Sequence, residues 1–145
     1  GLRRLIEARV RRKELVAVEL EGAPNLEHWA RPDTLDGRPG PGKERVHILS
    51  PFDPLIHQRR RLRLFFGYEH RFEAYVPKAQ RRFGYFAQPV LVDDAVVAAI
   101  DLKTDRERRK LQVQQWTWVG KGPRRLNKMR IEEALHRFER FQLAR

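Results

Sequence analysis

The chain has 145 residues, enough for one domain or for a small domain with part of another. Because 41% of the residues are apolar, it can bury a core despite its 34% charged residues, which excludes a disordered chain. It contains no cysteine, which excludes disulfide bonds and thiol-ligated zinc or iron–sulfur sites. Its formal net charge is +12.

The excess positive charge is concentrated in two segments. Residues 57–82 carry a net charge of +6 and residues 121–145 carry +5, whereas the remainder is close to neutral. Localised positive charge is typical of proteins that bind polyanions. The alternative is a solvated surface that only keeps the protein soluble, and we favour nucleic acid over it.

The sequence contains no pattern that indicates a membrane protein. No signal peptide precedes the first elements, and the longest aliphatic run, 95–100, is too short to span a bilayer. We therefore expect a cytoplasmic protein with no membrane partner. The chain begins at Gly1 within a helical pattern, which suggests a fragment of a longer protein.

The first part of the chain has the pattern helix, strand, loop, strand. Residues 2–10 form an amphipathic pattern, and 15–20 and 27–31 are extended. This order resembles the last part of a winged helix, although other α+β domains would share it. Three Gly and two Pro within 37–43 predict a linker. We expect a winged-helix remnant over 1–36.

After the linker, strand patterns dominate. They predict a small antiparallel β-barrel or half-open sheet over 44–120, of which we favour the barrel, and place the whole chain in the α+β class. The Asp93-Asp94 pair predicts a tight turn between two apolar strands. Within 121–145, apolar residues at helical spacing predict a C-terminal amphipathic helix. The predicted strands are 46–49, 71–76, 83–92, 95–102 and 111–119.

The string SPFDPL over 50–55 predicts the start of a helix. Asp53 suits the N-cap and Pro54 the first helical position, and capping is a better reading than a catalytic carboxylate. The helix that follows, through 57–66, carries clustered arginines that lack an acidic i+4 partner. Guanidinium groups match phosphate oxygens, so we predict contacts to a nucleic-acid backbone from Arg59, Arg60 and Arg61.

The segment 71–86 (RFEAYVPKAQRRFGYF) predicts a hairpin with a basic tip. Pro77 ends the first strand, and the alternative is an ordinary turn that protects a sheet edge. A basic tip fits a nucleic-acid groove, where cations reach phosphates and a glutamine reaches a base edge. The candidate binding residues here are Lys78, Gln80, Arg81 and Arg82.

Residues alone indicate no active site. Strand alternation would put four residues on one face: Gln112, Gln114, Trp116 and Trp118. We expect exposed glutamines beside a half-covered aromatic pair there, rather than a polar site flanked by tryptophans. The five histidines lack the spacing of metal ligands, and no Ser–His–Asp order or carboxylate pair stands out. We predict no catalytic residue, no metal and no cofactor in this chain.

Several strings in the second half resemble the C-terminal part of the YcaQ/AlkZ-type DNA glycosylases, a family often described as winged-helix DNA-binding proteins. They follow the family's order through about half of the chain. The strings are 50–55 (SPFDPL), 65–67 (FFG), 75–77 (YVP), 82–85 (RFGY), 89–91 (PVL) and 101–106 (DLKTDR).

The resemblance implies a function that composition could not give. Family members excise alkylated or crosslinked purines by hydrolysing the N-glycosidic bond, with tandem winged helices ahead of a β-barrel whose hairpin contacts DNA. That hairpin corresponds to 77–82 here. The family's catalytic Gln-x-Gln or Gln-x-Asp motif lies upstream, so the same spelling at Gln112-Val113-Gln114 does not carry the role over.

The resemblance therefore predicts a DNA-binding C-terminal domain of a repair glycosylase, inactive alone and bound to damaged double-stranded DNA in the nucleoid. A non-catalytic winged-helix DNA-binding protein, such as a regulator or architectural factor, is the rival. A surface for RNA or for an acidic protein is a third reading. The lesion, the DNA sequence preference and the oligomeric state do not follow from the sequence.

Overall fold

The computed structural model describes residues 1–37, 45–120 and 122–144, and the chain divides into two compact units, within 1–42 and within 43–145. The linker predicted over 37–43 lies outside the described residues except for Gly37. Helices and antiparallel sheets both occur, so the α+β class is confirmed.

The first unit contains two helices and a two-stranded sheet. Helix α1 (Leu2–Arg11) precedes strands β1 (Val16–Val18) and β2 (His28–Ala30), which pair antiparallel. A short helix α2 (Pro32–Asp36), which the sequence did not predict, begins with proline after an extended residue. Among the described residues of this unit only Ala23 is fully buried, so its core is small.

The second unit is built on a four-stranded antiparallel sheet. Its strands are β3 (Val46–Ile48), β4 (Ala87–Val92), β5 (Ala95–Asp105) and β6 (Lys110–Trp118). They lie in the order β3-β4-β5-β6, with Asp93 and Asp94 in the predicted turn between β4 and β5. In this order β3 and β6 are edge strands, so the described strands form an open sheet, and the favoured β-barrel is not confirmed.

The C-terminal helix covers one face of this sheet. Helix α5 (Arg124–Leu143) confirms the predicted amphipathic helix, and Ile131 and Leu135 pack against Val90 and Ile100. Burial of each such aliphatic side chain contributes about 1.5–3 kcal/mol. Phe141, near the end of α5, is 72% exposed.

Two short helices cover part of the opposite face. Helix α3 (Pro54–His57) begins as predicted, because the Asp53 carboxylate accepts the backbone N–H of Leu55 at 2.8 Å. The sequence predicted one continuous helix here, but the helix is interrupted at Gln58. Helix α4 (Arg59–Phe66) follows. Leu62 of α4 joins a buried cluster with Ile56, Tyr68 and Val96.

The strand predicted over 71–76 is wrong. Those residues form an irregular segment that leads through Pro77 into a single turn of 3-10 helix, Lys78–Gln80. The return strand begins only at Ala87, so no hairpin spans 71–86. The basic segment 78–82 therefore lies on a loop that strand pairing does not hold in place, so other contacts must do so.

Candidate nucleic-acid interface

A buried carboxylate holds the start of the basic loop. Glu73 is 3% exposed, and its Oε2 accepts the backbone N–H of Phe83 at 2.7 Å, with further backbone hydrogen bonds from Arg82 and Gly84. Burial alone would raise the pKa of this carboxyl, but the three amides and the charge of Arg71 outweigh it, so the pKa lies below its ordinary value. Glu73 is therefore an ionised anchor for the loop.

A second carboxylate holds the end of the same loop. Asp101 of β5 is 7% exposed and accepts the backbone N–H of Tyr85 at 2.6 Å and of Phe86 at 3.2 Å. The loop lies so close that a Cβ at Gly84 would collide with the Asp101 side chain, and Gly84 has a φ of +120°. The backbone amides of Phe83, Tyr85 and Phe86 are thus fixed by two carboxylates.

Arg81 closes the loop from the other side. Its Nε donates to the backbone carbonyl of Val76 at 2.7 Å, and its guanidinium lies 5.0 Å from the centre of the Tyr85 ring. A cation over an aromatic face is attracted by the ring quadrupole. Arg81 is half-buried in this position, so it stabilises the loop while contributing positive charge to the surface.

This loop and strands β5 and β6 enclose a cleft of about 590 Å³. The cleft combines cations, side-chain amides and aromatic rings, and its one carboxylate is Asp101, which the two loop amides already occupy. Such a lining suits an anionic ligand with planar groups. The lining residues are Lys78, Arg81, Gly84, Tyr85, Phe86, Asp101, Leu102, Lys103, Gln114 and Gln115.

A β-bulge directs the glutamines of β6 toward this cleft. Asp101 pairs with Gln115 and Leu102 with Val113, which leaves Gln114 as an extra residue on β6. The predicted alternation is therefore wrong, because Trp116 and Trp118 pack toward the α5 side of the sheet. On the other side the glutamine side chains make their own hydrogen bonds: Gln114 to Gln112 at 3.2 Å and Gln115 to the carbonyl of Arg82 at 2.8 Å.

Three exposed arginines lie in the first turn of α4: Arg59, Arg60 and Arg61. The helix dipole favours anions at this end, so three cations there cost stability. Arg63, one turn later, is paired with Glu69 at 2.9 Å, whereas no ion pair within the described residues holds Arg59, Arg60 or Arg61.

A buried tyrosine–histidine pair lies between α4 and the loop. The Tyr68 hydroxyl and Nδ1 of His70 are hydrogen-bonded at 3.2 Å. Burial raises the pKa of Tyr68 to about 12 against the opposing charge of Arg82. Burial and then the charge of Arg59 lower the pKa of His70.

The predicted binding residues thus fall into three groups. Lys78 and Arg81 line the cleft, and Gln80 and Arg82 are exposed on the same loop. The third group, on α4, is Arg59, Arg60 and Arg61.

Sequence reasoning missed Lys103, which faces the cleft from β5. Its signal was a cation that follows the apolar run 95–100 after Asp101 and Leu102.

A second missed feature is the turn between β5 and β6. This is a true antiparallel hairpin, and its tip over 106–109 contains three exposed arginines. Asp105 Oδ1 accepts the backbone N–H of Arg108 at 3.0 Å, and Arg109 donates to the Leu143 carbonyl at 3.2 Å. The basic hairpin of this unit is therefore the β5–β6 hairpin and not residues 71–86.

Within the described ranges 1–37, 45–120 and 122–144, no helix has the length and apolar character needed to cross a membrane. The same residues contain no group of three His, Asp or Glu side chains that could hold a metal ion.

Comparison with known proteins identifies the family. The sequence model of the family described as DNA glycosylase AlkZ-like matches residues 1–141. The chain therefore belongs to the AlkZ-like DNA glycosylase family, as the resemblance predicted, and DNA is the partner that this membership implies. No solved structure matches the chain at a significant level.

Proposed function

We propose that this chain is the DNA-binding C-terminal part of a repair glycosylase that excises alkylated or crosslinked purines from double-stranded DNA. The observation that carries the proposal is the cleft beside the loop 82–86, where Lys78 and Lys103 face side-chain amides and rings. The family membership supplies the repair role. Helix α1 with β1 and β2 is then the end of a winged helix.

The cleft suits a DNA strand because its cations and its amides have different tasks. Lys78 and Lys103 neutralise phosphates, and such contacts fix the position of a protein on DNA without reading sequence. The amides of Gln114 and Gln115 can donate to and accept from base edges. Because two carboxylates fix the loop in advance, binding costs little further ordering of this segment.

The exposed arginines extend this contact beyond the cleft. Arg59, Arg60 and Arg61 form the unfavourable end of α4, and a phosphate backbone would relieve their electrostatic cost. Arg82 and Gln80 lie exposed on the loop that borders the cleft. We assign these residues to the duplex on either side of the lesion.

The β5–β6 hairpin is the better candidate for the family's DNA-probing hairpin. Strands β5 and β6 are paired up to Asp105 and Lys110, directly before the turn, so the backbone at the tip is held in place. Arg106, Arg108 and Arg109 would contact the strand from which a damaged base is extruded.

Catalysis is assigned to the upstream part of the parent protein. Among the described residues of the second unit the buried carboxylates are Glu73 and Asp101, and both accept backbone amides and are not placed for acid–base work. That observation also favours the second candidate function, a non-catalytic DNA-binding protein of the nucleoid. An excision assay on alkylated duplex separates the two, since only a glycosylase parent releases the base.

Binding by this chain alone is tested by competition. A labelled duplex is displaced in turn by unlabelled duplex DNA, duplex RNA and an acidic polypeptide of equal charge. The proposal predicts that duplex DNA displaces the label at the lowest concentration. Equal displacement by the acidic polypeptide would show charge attraction only and would overturn it.

A further inference from the structure

Four aromatic rings, two of them largely exposed and two half-buried, form a contiguous cluster beside the cleft. The Phe72 ring lies 5.3 Å from that of Phe52, 5.7 Å from that of Phe86 and 6.1 Å from that of Tyr75, and Phe52 and Phe86 are 5.8 Å apart. Tyr75 is 92% exposed and Phe52 66% exposed. A contiguous patch of exposed apolar side chains indicates an interaction site, whereas single exposed apolar residues are common on any protein surface. We call these four residues the aromatic platform.

Backbone hydrogen bonds hold each part of the platform. The N–H of Phe52 donates to the Ser50 hydroxyl at 3.2 Å, so the SPFDPL segment both caps α3 and directs this ring outward. Glu73, between Phe72 and Tyr75, is tied to Phe83, and Phe86 is tied to Asp101. The rings are therefore fixed in advance by polar contacts that lie outside the cluster.

The platform is continuous with the cationic cleft. Phe86 belongs to both, since it contacts Phe52 and Phe72 and also lines the cleft with Lys78 and Lys103. Next to it, Tyr85 is 54% exposed under the Arg81 guanidinium. Positive charge beside exposed ring faces is the combination that binds single-stranded nucleic acid.

We propose that the aromatic platform stacks the bases of an unpaired DNA strand whose phosphates lie along the cleft. A paired duplex hides its base faces, so these rings would find no partner on intact double-stranded DNA. The inference rests on the proposed DNA-binding function and adds to it a preference for strand that is already open. Cations at the border of the platform favour a polyanion over an apolar protein segment.

The test compares two ligands of equal length and charge. One is an oligothymidylate, and the other has base-free tetrahydrofuran residues in place of the nucleosides, so only the first can stack. The wild-type chain should bind the oligothymidylate more tightly, by about five- to one-hundredfold for each base stacked. Equal affinities would overturn the inference.

Substitutions that remove single rings test whether the bases stack on the aromatic platform. Tyr75→Ala and Phe52→Ala should each reduce the preference for the base-bearing strand, while Tyr75→Phe, which keeps the ring, should retain it. Both side chains are mostly exposed, so the fold should survive, as far-UV circular dichroism would check. Phe141→Ala is the matched control, because Phe141 is 72% exposed on α5 away from the platform.

Three outcomes keep this inference distinct from the proposed function. Duplex binding with no loss of base preference in the platform variants would overturn the inference alone. No binding to any DNA would overturn the proposed function. Displacement of the oligothymidylate by an acidic, aromatic-containing peptide, undone by Tyr75→Ala, would assign the platform to a protein partner and also overturn the inference.

Discussion

The carboxylate of Glu73 accepts the backbone N–H of Phe83 at 2.7 Å across ten residues of irregular chain. This bond, with those that Asp101 makes to the next amides, turns a glycine-containing loop into a fixed border of the cleft. The geometry of the candidate interface therefore depends on two buried carboxylates whose oxygen atoms accept backbone amides of the loop.

Glu73→Gln should destabilise the second unit. The glutamine keeps the size of the side chain but replaces a charged acceptor, and a hydrogen bond to a charged group contributes about 1.5–3 kcal/mol. The free energy of unfolding, measured by urea denaturation, should decrease by an amount within that range. Glu69→Gln is the control: its exposed ion pair with Arg63 should cost below about 1 kcal/mol. Equal effects would contradict an anchoring role for Glu73.

Gly84→Ala should disrupt the loop more than a conformational penalty alone explains. The added Cβ would collide with the Asp101 side chain at a φ of +120°, whereas Gly67 has a φ of +58° with open space around it. Strain from an unfavourable backbone conformation costs about 1–3 kcal/mol. Gly67→Ala reports that strain alone, so Gly84→Ala should lose clearly more unfolding free energy. A smaller loss at Gly84 would refute the close packing.

His70 should make the stability of the fold depend on pH. Burial and the charge of Arg59 lower its pKa from 6.5, so the folded chain binds a proton less readily than the unfolded chain. Its contribution is present above pH 6.5 and is lost as pH falls toward the lowered pKa. Glu73 opposes that shift, and its own loss begins only below pH 4.5.

The measurement is the free energy of unfolding between about pH 7 and about pH 5, the window in which a histidine ordinarily titrates. His70→Gln should flatten the profile there, while His136→Gln, exposed on α5, should leave the wild-type slope. A profile unchanged by His70→Gln would mean that the buried histidine is not linked to folding.

Arg60→Gln with Arg61→Gln should separate binding from folding. Cations in the first turn of α4 oppose the helix dipole, so their removal should leave stability unchanged or raise it by about 0.3–1 kcal/mol each. DNA affinity should fall at the same time, because two phosphate contacts are lost. Thermal unfolding and DNA titration on the same samples check this, and a parallel loss of both would indicate a structural role.

Local signals in the sequence predicted much of the fold. The Asp53-Pro54 cap, the Asp93-Asp94 turn and the C-terminal helix depend on neighbouring residues, so their patterns sufficed. The segment 71–76 misled because its polar and apolar residues alternate as in a strand, whereas the folded chain buries Glu73 as an acceptor for the Phe83 amide ten residues away.

The candidate site was only half predictable for the same reason. Lys78 and Arg81 were identified by charge, but Lys103 and Gln114 enter the cleft through sheet register and a bulge. One extra residue on β6 reverses which side chains share a face, and no local pattern marks it. The contacts that define the cleft join residues far apart in sequence.

The most direct test of the cleft as the DNA contact is the salt dependence of duplex binding. Each neutralised phosphate contributes about 0.9 to the slope of log affinity against log salt concentration. Lys78→Ala combined with Lys103→Ala should reduce the slope by about 2. The control, Lys128→Ala with Arg137→Ala on α5, removes the same charge from side chains that are paired within their own helix and should leave it unchanged. A wild-type slope in the Lys78/Lys103 variant would contradict the account.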